Sequence, residues 1–246
     1  MGFEKSLFLG VILMGGVVFG SCVDHAGESE EELEQIRQDS ILQADADNAL
    51  IDAYIADASN GIDASLVKVG EYGVRRIVWA PAVSIRVPEY NEIVSVHYTG
   101  KYLENAIFDT SSSTTAKKSD SLNYVTDGIV FDDLLASSSK SYEELLDSLN
   151  TSDGAIDDPL FSASRLYLPI AFNHTENGTG ISFNYIPGFR SGLKEAMLEM
   201  ELNSKALIMI PSAVAYGASG SNPGGEGGIP ANTPLVFQFD LVNIHP

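Results

Sequence analysis

The chain has 246 residues, 44% of them hydrophobic, which is enough apolar material for one sizeable core. Thirty-four acidic residues stand against 14 basic ones, and the formal charge of −20 excludes a phosphate-tracking nucleic-acid binder, because such proteins need a basic face. The single cysteine, Cys22, leaves no internal disulfide to form.

The stretch "MGFEKSLFLGVILMGGVVFGSC" sets Lys5 before an apolar run from Leu7 to Phe19, and ends in Gly20 and Ser21 directly ahead of Cys22. A run of about 13 residues is too short to cross a bilayer, and its flanks are those of a signal peptide. Residues 1–22 resemble a bacterial lipoprotein signal. That resemblance implies lipidation at Cys22 and a membrane anchor in the bacterial cell envelope, at the outer membrane or a periplasmic face. A plain secretory signal with an incidental cysteine is the other reading.

From Val23 to Asp63 twelve acidic residues meet one basic residue, Arg37, so this segment carries eleven of the twenty net negative charges. Residues 23–67 are expected to form an acidic tether followed by a helical spacer. Leu33, Ile36, Leu50, Ile51, Tyr54 and Ile55 recur at helical spacing from about Glu31, and "SNG" at 59–61 is the stop signal. The helix either packs on itself or on the following domain, or pairs with a second copy.

Beyond this the apolar period becomes two. "YGVRRIVWA", "EIVSVHYTGKYL", "KALIMIP" and "PLVFQFDLVNI" read as strands, the last with Leu235, Phe237, Phe239 and Leu241 on one face. In "GFRSGLKEAMLEMELNSK" the residues Phe189, Leu193, Ala196, Met197 and Met200 form one helical stripe, and Asn203 suits a left-handed position after it. An antiparallel sheet with a helix across one face, an α+β fold, buries both. Between them, at about 110–168, a polar loop "TSSSTTAKKSDS" leads to "YEELLDSLN", a helix opened by a Ser141–Glu144 capping box. A partly helical insertion is expected there.

His25, His97, His174 and His245 lack metal-ligand spacing and no serine sits in a nucleophile-elbow context, so neither a metal nor a cofactor is expected. What remains is a set of aromatic residues on sheet positions beside a lone acid, Asp109. Such residues are core in most sheets; read functionally, they form an apolar cup with polar handles.

The ordered motifs "VHYTG", "FD", "IPGF", "AYG" and "IPANTPLVF" resemble the FKBP-type peptidyl-prolyl isomerases, the immunophilins that bind macrolide drugs. The resemblance covers roughly residues 68–246, interrupted by the insertion. It implies a twisted antiparallel sheet wrapped around a short α-helix, catalysis of cis–trans isomerisation before proline, proline-containing polypeptide clients, and macrolides as candidate inhibitors. Carried over by position, Tyr98 and Phe108 form one wall and Asp109 is the polar group near the substrate carbonyl. Ile170 stands where the family usually has phenylalanine, and Tyr185 and Ile186 lie at the helix approach. Phe189 replaces the common tryptophan on the floor, Tyr216 donates its hydroxyl, and Ile229 and Phe237 close the far side. Three departures stand out: 60 residues from Asp109 to Pro169 where the family needs about a dozen, a helix four residues longer than usual through Met200, and the glycine-rich loop "GASGSNPGGEGGIP". A non-catalytic binding or holdase lipoprotein on the same scaffold is the competing reading.

Overall fold

A computed structural model describes residues 29–79, 86–89, 91–126, 129–151, 156, 159–173, 186–222 and 228–245. The expected signal segment with Cys22, and Tyr185, lie outside these residues. In chain order the elements are α1 (Glu30–Ala56), β1 (Lys68–Val69), β2 (Arg75–Trp79), β3 (Ile93–Lys101), β4 (Ile107–Thr110), α2 (Ser113–Asn123), β5 (Val125–Thr126), β6 (Ile129–Val130), α3 (Phe131–Ser137), α4 (Tyr142–Thr151), β7 (Ile170–Asn173), α5 (Pro187–Met197), β8 (Lys205–Ile210) and β9 (Leu235–His245).

By contacts the chain divides into two units, one ending at Asp39 and one running from Ser40. Among its described residues the first holds Ser29 and the opening turns of α1. There Ser29 and Glu32 form a capping box, the Ser29 N–H donating to Glu32 Oε2 at 2.7 Å and the Glu32 N–H to Ser29 Oγ at 3.3 Å. No described helix is long and apolar enough to cross a membrane.

The second unit is built on one antiparallel sheet in the order β1-β2-β8-β9-β3-β4, with β7 also paired to β3. Its longest strand, β9, lies between β8 and β3, and the register sets Phe237 opposite both Gly100 and Ile208. Alternation along β9 sends Leu235, Phe237, Phe239 and Leu241 to one face, where all four are fully buried beneath α5, while Val236 goes to the other. The α5 stripe Phe189, Leu193, Ala196 and Met197 meets that face. Gly188 and Gly192, one turn apart, let the helix sit close: a Cβ at either position would lie 2.4 Å from Cγ2 of Ile210 or Ile208. The molecule is thus α+β, a mixed fold of helices on an antiparallel sheet.

The opposite face is covered by the part of α1 within this unit, from Ser40 to Ala56. Ile51 and Tyr54, one helical turn apart, join Ile77, Leu207, Met209 and Val236 in a second apolar layer. Asn48 and Asp52 both accept from the Arg75 guanidinium, at 2.7 and 3.1 Å. Half of the expected spacer therefore packs on the sheet. Its helix stops where expected, with Asp57 capping a 3-10 turn over Ala58–Asn60 and Gly61 at φ 63.

Two expectations need correction. The longer terminal helix through Met200 is not formed: α5 ends at Met197 with Leu198 as its C-cap, and the turn after it is tightened by the Glu199 N–H, which donates three residues back to the Ala196 carbonyl at 2.9 Å. Met200 is still fully buried, and Asn203 takes its left-handed position, φ 72, in the turn before β8. The polar run after Thr110 is not a loop but α2, capped by Ser112, whose Oγ accepts from the Thr115 N–H at 3.2 Å. Ala116 and Asp120, four residues apart, turn that helix inward.

The insertion has its own core of Ala116, Tyr124, Phe131, Leu145, Leu146, Ile156, Leu160 and Phe161. Buried Asp120 anchors its return segment, accepting from the Leu160 and Phe161 N–H groups at 3.0 and 2.8 Å. The Ser141–Glu144 capping box opens α4 as expected. Both ends of the insertion leave from one edge of the sheet, since β4 pairs with Thr99–Lys101 and β7 with Ile93–Val96 of the same strand. Tyr98 stands in the gap between them.

Candidate functional site

Tyr98 and Gly100 share one face of β3, and Tyr102 follows just after the strand ends. Gly100 leaves a notch there: a Cβ would lie 2.5 Å from Phe108 Cζ and 3.0 Å from Phe237 Cε1. The Phe108 ring fills it, edge-on to Phe237 with centroids 5.7 Å apart and tilted against Tyr102 at 5.2 Å. Phe237, with no exposed surface, meets Phe189 edge to face at 4.8 Å and stacks beside Phe239 at 6.3 Å. Edge-to-face contacts of this kind align ring edges with ring faces and hold the cluster in one arrangement. Ile186 and Ile229 are buried in the same cluster, and Ile170 and Tyr216 pack against it half-buried.

Several chain devices place these groups. Ile186 occupies the N-cap position of α5 with Pro187 following, so it sits at a helix opening whose N–H groups lack intrahelical partners. Ile229 is fixed by two bonds with Ser221: its N–H donates to Ser221 Oγ at 2.6 Å and its carbonyl accepts from the Ser221 N–H at 2.9 Å. That approach requires Gly220, at φ 70, where a Cβ would stand 2.4 Å from the Ile229 carbonyl. Tyr216 follows the 3-10 turn Ser212–Val214 that leaves β8.

The polar side of the site is a three-residue relay. Tyr98 Oη donates to Asp109 Oδ2 at 2.5 Å, and Arg165 Nη2 donates to Asp109 Oδ1 at 2.8 Å and to the Thr110 carbonyl at 3.0 Å. Asp109 is therefore not a lone acid, as its sequence neighbourhood suggests, since each of its oxygens has a donor. Burial, and after it the hydrogen bond to Asp109 and that carboxylate's charge, push the Tyr98 phenol far above its ordinary value, so the hydroxyl stays protonated. Arg165 also lies over the Tyr167 ring, 5.0 Å from its centroid, and Tyr167 is anchored through its hydroxyl to the Leu160 carbonyl at 2.7 Å. The insertion thus delivers a guanidinium to the acid at the edge of the aromatic cluster.

The structure brings Tyr98, Phe108, Asp109, Ile170, Ile186, Phe189, Tyr216, Ile229 and Phe237 around one apolar cluster. Sequence reasoning missed Arg165 and Tyr102. The signal for Tyr102 is its even spacing from Tyr98 along a strand. For Arg165 it is weaker, a rare basic residue four positions before Pro169 where the chain re-enters the sheet. Among the described residues no group of three or more metal-ligating side chains gathers.

Residues 171–242 match the family model described as FKBP-type peptidyl-prolyl cis-trans isomerase. That range runs from β7 through α5 and β8 into β9, and Tyr98, Phe108 and Asp109 lie before it. No curated protein matches the chain. Among solved structures it is similar to a peptidyl-prolyl cis-trans isomerase from Pseudomonas syringae pv. tomato, at 19% identity and a TM-score of 0.42, covering 84% of this chain and 96% of that one. It is also similar to FkpA from Escherichia coli, at 19% identity and TM-score 0.38 over 89% and 75% of the two chains. The three FKBP domains of wheat FKBP73 give 17% identity and TM-score 0.37 over 72% of this chain and 49% of that one. The segment that supplies Phe189, Tyr216, Ile229 and Phe237 is thus the part of the chain that matches the model of the FKBP-type peptidyl-prolyl cis-trans isomerases.

Proposed function

We propose that this protein isomerises X-Pro peptide bonds by holding the amide rotated out of plane over the Phe108–Phe189–Phe237 cluster, with Tyr98, Asp109 and Tyr216 as its polar handles. The observation that carries the reading is the pairing of Asp109 with Tyr98 beside a fully buried aromatic floor, on a chain whose residues 171–242 match the isomerase family model. Rotation is opposed by about 18–20 kcal/mol of lost resonance, so the unassisted reaction takes tens to hundreds of seconds. No nucleophile is needed. A water-poor surface disfavours the charge-separated planar form, and hydrogen bonds to the flanking chain favour the twisted one. Lowering the barrier by ~5 kcal/mol gives roughly 10³- to 10⁴-fold acceleration.

A protease-coupled assay on a proline-containing tetrapeptide tests this, with Asp109→Ala and Tyr216→Phe as variants. Turnover well above background that falls in both variants supports the reading; a wild-type rate equal to background sinks it.

The same reading extends to the setting. Exported, proline-containing polypeptides are the proposed clients, and lipidation at Cys22 the proposed anchor in the cell envelope. Support comes from the charge, apolar run and small residues before Cys22. Cys22→Ala should move the protein from the membrane fraction to the soluble one; equal membrane recovery of both forms removes the anchor from the proposal. The alternative, a non-catalytic holdase, is favoured by one observation: the insertion has a core of its own and leaves Leu166 and Leu168 exposed beside Arg165. Suppression of a client's aggregation without any gain in its proline-limited refolding rate would select that alternative.

A further inference from the structure

The C-terminal half of α1 lies on the sheet face opposite the aromatic cluster, yet it reaches both segments that carry the polar handles. At one end Tyr54 Oη donates to Asn105 Oδ1 at 3.1 Å, and Asn105 Nδ2 donates to Asn60 Oδ1 at 2.8 Å. Asn105, at φ 68, is in the β3–β4 turn that leads to Phe108 and Asp109. Nearer the middle of the helix, Asp47 has no exposed surface. Its Oδ2 accepts from both the N–H and the hydroxyl of Ser212, at 2.7 and 2.6 Å, and its Oδ1 accepts from Gln43 Nε2 at 2.7 Å. Ser212 opens the turn before Tyr216. That turn is closed by the Val214 N–H to the Pro211 carbonyl at 3.1 Å and the Ala215 N–H to the Ser212 carbonyl at 3.0 Å.

Among the described residues no basic side chain pairs with Asp47. The same stretch of helix otherwise gives Ile51 and Tyr54 to an apolar layer. A carboxylate buried there is costly, and an apolar side chain of similar volume would serve packing as well or better. What the carboxylate adds is two charge-assisted bonds to one residue, which fix the Ser212 backbone and its side-chain rotamer together. Fixing Ser212 fixes the direction in which the chain leaves β8 and enters Tyr216.

We propose that Asp47 is a positioning residue for Tyr216, so that the helix behind the sheet holds the tyrosine on the other side in its working place. This rests on the isomerase reading given above. It makes Ser40–Ala56 part of the catalytic unit rather than a spacer.

The test is a double-mutant cycle in the peptide assay, combining Asp47→Ala with Tyr216→Phe, with circular dichroism confirming that each variant is folded. Asp47→Ala should lower kcat/KM about tenfold, well inside what a misplacement near 1 Å costs. Asp47→Asn, which keeps an acceptor for Ser212, should return the rate to within about twofold, and Asp47→Ala made in the Tyr216→Phe background should add less than about twofold. Loss of a structural residue alone would lower the melting temperature and leave the folded protein's kcat/KM unchanged; that result overturns the proposal. So do losses that multiply in the cycle. A Tyr216→Phe variant with the full wild-type rate refutes the role given to Tyr216 and this inference with it, whereas multiplying losses refute the inference alone. Should Asp47→Ala not fold, Ser212→Ala takes its place in the cycle and the same outcomes decide, because it removes only the hydroxyl bond.

Discussion

Replacing Arg165 by methionine keeps most of the side chain's apolar bulk and removes its charge and donors. The guanidinium lies 2.8 Å from Asp109 Oδ1 and 3.0 Å from the Thr110 carbonyl. At 2.8 Å, unit charges in surroundings of effective dielectric near 20 attract by ~6 kcal/mol before desolvation. The side chains are 39% and 30% exposed, so screening and ordering reduce the net value of the pair to about 1 kcal/mol. Stacking on Tyr167 contributes a further ~0.5–1 kcal/mol. The variant should therefore lose about 2 kcal/mol of attachment between insertion and sheet. Asp109 would keep Tyr98 as its donor but stand without positive charge; with Asp109 in its proposed role at the substrate carbonyl, a loss of ~1.4 kcal/mol there lowers kcat/KM tenfold. Steady-state kinetics of the tetrapeptide reaction measure the second effect, and hydrogen exchange across residues 159–168 measures the first. Arg165→Lys, with the charge but not the fork, should fall between. Wild-type kcat/KM and wild-type exchange in Arg165→Met would refute the coupling of insertion to acid.

Three further outcomes follow from other parts of the molecule. Gly100→Ala should push the Phe108 ring outward by ~1 Å and cost about 1–3 kcal/mol, lowering the urea midpoint and raising KM, because the new methyl would otherwise lie 2.5 Å from Phe108 Cζ. Asp120→Ala leaves two buried N–H groups without an acceptor, so exchange across 113–123 and 159–161 should accelerate by the equivalent of ~2 kcal/mol while strands β8 and β9 keep their protection; a uniform change would show that the insertion does not fold as its own unit. Burial alone would raise the Glu199 carboxyl, but its bonds from Lys68 and Arg76 outweigh this and hold it below its ordinary 4.5. A lowered folded value stabilises above the unfolded value and is lost as pH falls through the folded one. The wild type should therefore lose more stability than Glu199→Gln on acidification from near pH 4.5 downward, by less than about 1 kcal/mol because the group is partly exposed; parallel urea midpoints would refute the linkage.

How far the sequence spoke depended on whether local pattern and tertiary contact agreed. Period-two alternation located the four long strands, and it put Phe237 on the correct face because β9 is central and buried on both sides. The α5 stripe was legible for the same reason, though its end was not: Met200 keeps the helical spacing and a bond four residues back to Ala196, while the Glu199 N–H reaches only three residues back and the helix has ended at Met197. Serine, threonine and lysine hid α2, whose inward face consists only of Ala116 and Asp120, and Asp120 is stabilised in its burial by N–H groups forty residues further on. Arg165 and Asp47 were illegible on similar grounds, because each acts through a partner 56 or 165 positions away, and no local period records such a distance. The motifs gave the aromatic cluster because its residues fall in short fixed strings; the charged and hydroxyl contacts that steer them come from outside those strings.

The place of β9 between β8 and β3 has a consequence for how the molecule is made. Ile51, among the first of the unit's residues to leave the ribosome, finds its neighbour Val236 only after almost two hundred more have been joined. Until β9 has emerged, β8 and β3 have no strand between them, the aromatic floor lacks its middle ring, and α1 has nothing complete to lie against. Long-range pairing of this kind closes slowly, so the sheet and the two apolar layers on it stay open until the end of the chain is made, and their closure becomes a late event, whereas the insertion's contacts are all complete earlier.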